Sequence, residues 1–303
     1  MPRTEQRSTT MDYLRFVRDN RRFLAFGFLF GLCSSFGQTF FIALFGGELR
    51  AEFGLGHGEF GFVYSLGTLL SGLCLIWLGR VIDRVDLRAF GVLVALGLAL
   101  ACLLMAAAWS VPLLFAAFFA LRLTGQGLMV HTSATSMARY FDAGRGKAMS
   151  IAALGLPAGE MLLPLPAVAL IVAVGWRETW AAAGVALALA LPPLCLWLLK
   201  GHGARHRALV ERTDRGEAAA GAAGGEGRRQ WSRREVLRDP RFYLILVAVM
   251  VPSFVITGLF FHQVHLAAAK GWSLAWLASC FTAYALASTA AALGLGPLVD
   301  RFG

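Results

Sequence analysis

Charged side chains are scarce in this chain, and almost none fall where the apolar segments are longest. They make up 15% of the 303 residues while apolar residues reach 57%, against about 25% and roughly 45–50% in soluble domains. That imbalance excludes water as the main solvent. Cysteine supplies no framework: the five residues at 33, 74, 102, 195 and 280 are odd in number, lack CxxC spacing and sit inside apolar stretches. They read as packing residues, with no disulfide scaffold and no metal cluster. No GxxxxGK[ST], HExxH or G-x-S-x-G pattern occurs, so nucleotide hydrolysis, zinc proteolysis and nucleophile-elbow chemistry lack their machinery. A membrane-embedded enzyme stays only as a minor alternative, and no cofactor is expected. The first 22 residues hold no apolar core of the kind a cleaved leader needs.

What is present is a series of neutral stretches long enough to cross a bilayer, which takes about 20 residues. They are Phe23–Gly47, Phe60–Gly79, Ala89–Leu121, Ala148–Trp176 (interrupted only by Glu160), Thr179–Leu199, Phe242–Ala269 and Gly271–Val299. Ala89–Leu121 is too long for one crossing, and Trp109-Ser110-Val111-Pro112 supplies a turn. The expected fold is therefore all-α and integral to the membrane. Its eight spans lie near 23–46, 58–79, 90–109, 112–138, 148–174, 178–199, 242–266 and 272–298.

The net charge of +10 does not point to nucleic acid, because the cations are spread over alternate loops. Lys and Arg number six in the N-terminal tail, three in 79–89, three in 139–147, eleven in 200–241 and one at Arg301. The intervening loops hold only Arg50, Arg177 and Lys270. This asymmetry places the N-terminus and the 200–241 loop in the cytoplasm of a multi-pass protein of the plasma (inner) membrane. Residues 200–241 carry eleven cations, six anions and the low-complexity run Ala218–Gly227, the composition of a flexible linker. The expected organisation is a tail (1–22), a six-helix bundle (23–199), the linker (200–241) and the first two spans of a second bundle (242–303).

A repeat crosses that linker. Gly79-Arg-Val-Ile-Asp83-Arg84 follows span 2 and Gly296-Pro-Leu-Val-Asp300-Arg301 follows span 8, the same GxxxDR at equivalent places. Paired repeats of this kind mark transporter folds. With Arg122-Leu-Thr-Gly125-Gln126-Gly127 in span 4, the pattern resembles the major facilitator superfamily. Arg139-Tyr-Phe141, Arg145-Gly-Lys-Ala148, Gly155-Leu-Pro-Ala-Gly159-Glu160 and Gly175-Trp-Arg-Glu-Thr-Trp180 look most like its monocarboxylate and oxalate/formate branch. Where that family continues the first GxxxDR with Gly and two basic residues, Asp86, Leu87 and Arg88 stand here. The resemblance implies secondary transport of a small solute, an organic anion such as a monocarboxylate, by proton-coupled alternating access. It also implies four further spans beyond Gly303, so a truncated, non-transporting remnant is the alternative. The GxxxDR residues Gly79, Asp83, Arg84, Gly296, Asp300 and Arg301 are implied to latch one face closed, with glycine allowing close approach, the Asp capping a helix N-terminus and the Arg pairing across the halves.

Ionisable groups inside spans are costly, at roughly 2.5–3.5 kcal/mol on insertion scales, and so are candidates for function. Arg122 lies about ten residues into span 4, in an α-helical stripe with Gln126 and Met129. It is either an electropositive contact for an anion, a regulator of a nearby carboxylate, or a structural arginine held by backbone carbonyls or Gln126. Glu160 is the one acidic residue deep in a span, among Pro157, Gly159, Pro164 and Pro166. It is read as a proton-coupling carboxyl, an ion pair with Arg122, or a packing residue near the surface. Gln38, four residues after Ser34, either lines a cavity or bonds between helices. His131 falls half a turn from Arg122 on an α-helix, as a packing group, a ligand or a proton carrier. His262 and His265 share a face near the end of span 7, in a cavity or at the interface, and two histidines do not make a metal site.

Overall fold

The computed structural model describes the backbone of residues 3–83, 85–141, 144–207, 211 and 233–302, and the side chains of 13–82, 85–141, 144–207, 211 and 235–291. Among the described residues every regular element is helical. Seven helices are long and apolar enough to cross a membrane, and a bent pair raises the number to eight. Span 1 is the bent pair, Tyr13–Gly37 with Thr39–Phe53. Spans 2 to 8 are His57–Leu78, Leu87–Ala106, Val111–Tyr140, Arg145–Val174, Trp176–Leu198, Pro240–Ala269 and Leu274–Phe302.

Two compact units emerge. One comprises residues 1–200 with 263–303, the other residues 201–262. In the second, Arg233–Arg238 precedes the start of span 7, where Leu244 and Phe254 are 74% and 82% exposed. Residues 208–210 and 212–232 of the expected linker lie outside the described residues.

In the first unit, spans 3 and 6 pack through small residues, as helices without a hydrophobic driving force between them must. Gly91 meets the Cys195 sulfur, and Gly184 meets Leu103 and the Ala99 carbonyl. Large apolar side chains point outward instead, Trp77 at 63%, Val172 at 79% and Leu189 at 73% exposure. Outside a lipid solvent such faces have no counterpart in a stable chain.

The turn expected at Trp109–Pro112 is present. Span 3 ends at Ala106, and span 4 starts at Val111 with Pro112 in its first turn, where a missing N–H costs nothing. Span 5 breaks at Leu154 and again at Leu163, with Pro164 opening its last segment. Gly175, at φ 99°, makes the turn into span 6 in a backbone region that side chains avoid.

Span 1 departs from the single helix expected over 23–46. It leaves α geometry at Cys33, runs as a 3₁₀ turn over Ser34–Gly37, is extended at Gln38 (φ −84°, ψ 151°) and resumes at Thr39, bent by 42°. The Ser34 hydroxyl donates to the Gly31 carbonyl at 2.6 Å, competing with the helical ladder. Non-helical backbone survives at this depth because protein covers it: Ser34, Ser35, Gly37 and Thr39–Phe45 are all buried.

At the arginine-poor end, Arg177 donates to the carbonyls of Ala106 and Ala108 at 2.9 and 2.5 Å and pairs with Glu52 at 3.0 Å. The half-exposed Glu52 adds little, whereas hydrogen bonds from a charged donor to two carbonyls are substantial. Arg177→Leu is expected to cost about 2 kcal/mol, read as a fall of several degrees in the melting midpoint of the purified protein.

Candidate functional site

The break in span 1 faces a second irregularity. Span 4 changes from α to π geometry over Arg122–Met129 and returns to α at Val130. Gly125 and Gly127 weaken the α preference of this stretch, and π segments inside helices concentrate at functional sites. Gly37 is pressed onto the π backbone. A methyl group on it would collide with the Leu121 carbonyl and lie 2.7 Å from both Gln126 N and Gly125 Cα. Two glycines back to back are what lets these irregular segments touch.

Arg122 closes the junction. It is 6% exposed, its Nη1 donates to the Gly37 carbonyl at 3.1 Å and approaches Thr39 Oγ1 at 3.3 Å, and its guanidinium lies 5.4 Å from the Tyr64 ring centroid. The Tyr64 hydroxyl donates to Thr39 Oγ1 at 2.8 Å. Span 1 thus holds one edge of the guanidinium, and span 2 supplies the ring against it. Its Nε is buried without a hydrogen-bond partner, as is Gln126 Oε1. Among the described residues no ion pair involves Arg122.

Glu160 is 7% exposed on the middle segment of span 5. Its neighbour Gly159 packs against Ser35 Oγ and the Leu32 carbonyl of span 1. Tyr284 of span 8 lies within electrostatic reach of the Glu160 carboxyl. Glu160 and Arg122 therefore flank the same span-1 break from spans 5 and 4 without forming an ion pair with each other.

Gln38 is half-buried at the extended residue, and its carbonyl accepts from Ile42 N at 3.1 Å. His131 lies apart from the junction, Nε2 to the Gly79 carbonyl at 2.8 Å. Met129 is fully buried, but the π run removes it from the α-helical stripe expected with Arg122. Of the span-7 residues, His262 is exposed, its ring 5.3 Å from Phe261. His265 stacks edge-on at 4.5 Å against His57 of span 2, whose Nε2 is 2.9 Å from Arg50 Nη1. The buried polar residue there is Gln263, 4% exposed, with Nε2 donating to the Phe40 carbonyl at 2.7 Å.

Gly79 opens a short 3₁₀ turn, Gly79–Asp83, with Arg139 Nη1 reaching the Ile82 carbonyl at 3.4 Å. The Asp83 side chain and all of Arg84 lie outside the described residues, as do the side chains around Gly296, Asp300 and Arg301. Sequence reasoning missed Thr39, Tyr64, Gln263 and Tyr284. Tyr64 and Tyr284 did carry a signal, as two of five tyrosines set deep in spans, and Gln263 is one of three glutamines inside spans.

Helices long and apolar enough to cross a bilayer, with spans 1 and 4 irregular where they meet around a buried arginine, define a polytopic membrane protein. The family model for the Major Facilitator Superfamily matches residues 27–303, and the chain belongs to that superfamily. It is a secondary transporter of small solutes. No curated protein matches the chain.

Proposed function

We propose that the solute is a small organic anion of the monocarboxylate type, moved by proton-coupled alternating access, with Arg122 as its electrostatic anchor and Glu160 as the proton-exchanging group. The observation that carries this reading is the half-used guanidinium. Arg122 is buried, holds its own protein through Nη1, leaves Nε without a hydrogen-bond partner, and has no carboxylate to neutralise it among the described residues. An uncompensated charge at that depth is costly, and a carboxylate placed on its free edge both neutralises it and completes the planar fork that arginine presents. Broken spans that line a polar site are how transporters of this kind expose backbone and side chains to a solute.

Glu160 suits the coupling role through its placement. Its neighbour Gly159 packs against Ser35 of the same span-1 segment, in a stretch interrupted at both ends. A proton delivered there and an anion delivered to Arg122 both act on the Ser34–Thr39 break. In this reading the arginine-rich end is cytoplasmic and the protein resides in the plasma (inner) membrane. Glu160→Gln removes the exchangeable proton while keeping size and polarity. Uptake by this variant is expected to lose its acceleration by an imposed inward proton gradient, measured with a radiolabelled carboxylate in proteoliposomes. Retention of the full gradient response ends the coupling role of Glu160.

A further inference from the structure

The π run has a geometric consequence for residues on either side of it. An α-helix turns 100° per residue, so the nine steps from Arg122 to His131 carry a side chain about half a turn round. A π-helix turns only about 80° per residue. Over Arg122–Met129 that difference accumulates, and His131 comes round to within roughly 20–40° of Arg122.

Both side chains indeed meet the region of span 2. Arg122 lies over the Tyr64 ring, and His131 binds the Gly79 carbonyl at the start of the GxxxDR turn. In an all-α span 4 they point to opposite sides, and the two sets of contacts exclude each other. The π run joins the two ends; a regular α run would satisfy only one of them. Coupling over a distance requires an element with two discrete arrangements, and an α form of this run would be the second.

We infer that His131 is a positioning residue through which the π run carries the state of Arg122 to the Gly79–Asp83 turn. A carbonyl only accepts, so His131 donates through Nε2–H, and the Thr135 hydroxyl stands 3.5 Å from Nδ1 on the other side of the ring. Arg139, eight residues further along span 4, holds the same turn at the Ile82 carbonyl. When an anion on the free edge weakens the hold of Arg122 on Gly37 and Thr39, the run relaxes toward α geometry. The His131 end then rotates and the Gly79 carbonyl is released. The anionic nature of the trigger rests on the proposed function; the linkage itself does not.

Hydrogen–deuterium exchange of a peptide spanning Gly79–Asp83, measured on the purified protein in nanodiscs without solute, tests the linkage. Hydrogen bonds between membrane helices are individually modest, so His131→Leu is expected to speed exchange there about threefold, while His131→Gln, which keeps a donor, stays near the parent rate. The decisive arm is Arg122→Ala, which touches nothing in the turn. With His131 intact it is expected to raise exchange at Gly79–Asp83 by a similar factor. Should the alanine variant not fold, Arg122→Lys, which retains the buried charge but loses the fork, is expected to show the same direction. Unchanged exchange in the folded Arg122 variant overturns the linkage, and unchanged exchange in His131→Leu overturns the positioning role. Neither reading uses transport, so a protein that carries no carboxylate leaves both outcomes decisive.

Discussion

Arg122→Ala is expected to lower the initial rate of anion uptake by about a hundredfold, the scale on which truncating one partner of a buried, hydrogen-bonded charge pair acts. The reason is twofold. The substitution deletes the positive centre that would draw an anion into a site of low dielectric, where the attraction is strong. It also strips the Gly37 carbonyl and Thr39 hydroxyl of the donor that holds the broken end of span 1. Arg122→Lys separates the two effects. Lysine keeps the charge, but its ammonium cannot hold the span-1 edge and offer a second, planar edge at once. The lysine variant is expected to recover part of the rate and none of the wild-type affinity. Initial rates of radiolabelled uptake in proteoliposomes, against matched empty vesicles, give both numbers. Equal rates for wild type and Arg122→Ala remove Arg122 from the site.

Gly37→Ala is expected to do comparable damage through backbone geometry alone. Its added methyl would collide with the Leu121 carbonyl and crowd the backbone at Gly125 and Gln126, none of which is the movable tip of a side chain. Over-packing of this sort costs about 1–3 kcal/mol, corresponding to a drop of roughly 2–5 °C in melting midpoint for a chain of this length. Relief comes only by separating spans 1 and 4, which carries Gly37 O away from Arg122. Thermal unfolding of the detergent-purified variant, followed by intrinsic tryptophan fluorescence, checks the stability effect. Gly146→Ala, at a position where an added methyl meets nothing within 4 Å, is the matched control.

The parts of this molecule that the sequence made legible are those written in composition. Neutral stretches marked spans 2 to 8 to within a few residues, whereas span 1 runs from Tyr13 to Phe53 against an expected 23–46, and Trp109–Pro112 marked the tight turn between spans 3 and 4. Pro164 lay at a real break in span 5. The irregularities at the centre were not legible, because each arises from a meeting of segments far apart in the chain. Nothing local distinguishes Gly37 from the other 33 glycines; its role comes from Gly125, 88 positions away. The α-helical stripe of Arg122, Gln126 and Met129 assumed a constant 100° per residue, and the π run invalidates that assumption. For the same reason His131, set half a turn from Arg122 by α geometry, comes round to the Gly79 carbonyl. In span 7 the histidines drew notice as titratable groups, yet Gln263 is the buried one. An amide in lipid must find a partner, and Gln263 found the Phe40 carbonyl beside the break.

The central claim is that a carboxylate occupies the free edge of Arg122 as the transported solute. The most direct measurement is uptake of radiolabelled monocarboxylates, compared with amines and neutral sugars of similar size, into proteoliposomes with and without an inward proton gradient. The predicted result is saturable uptake of carboxylates alone, stimulated by the gradient. Uptake that favours amines or sugars, or that ignores solute charge altogether, contradicts it.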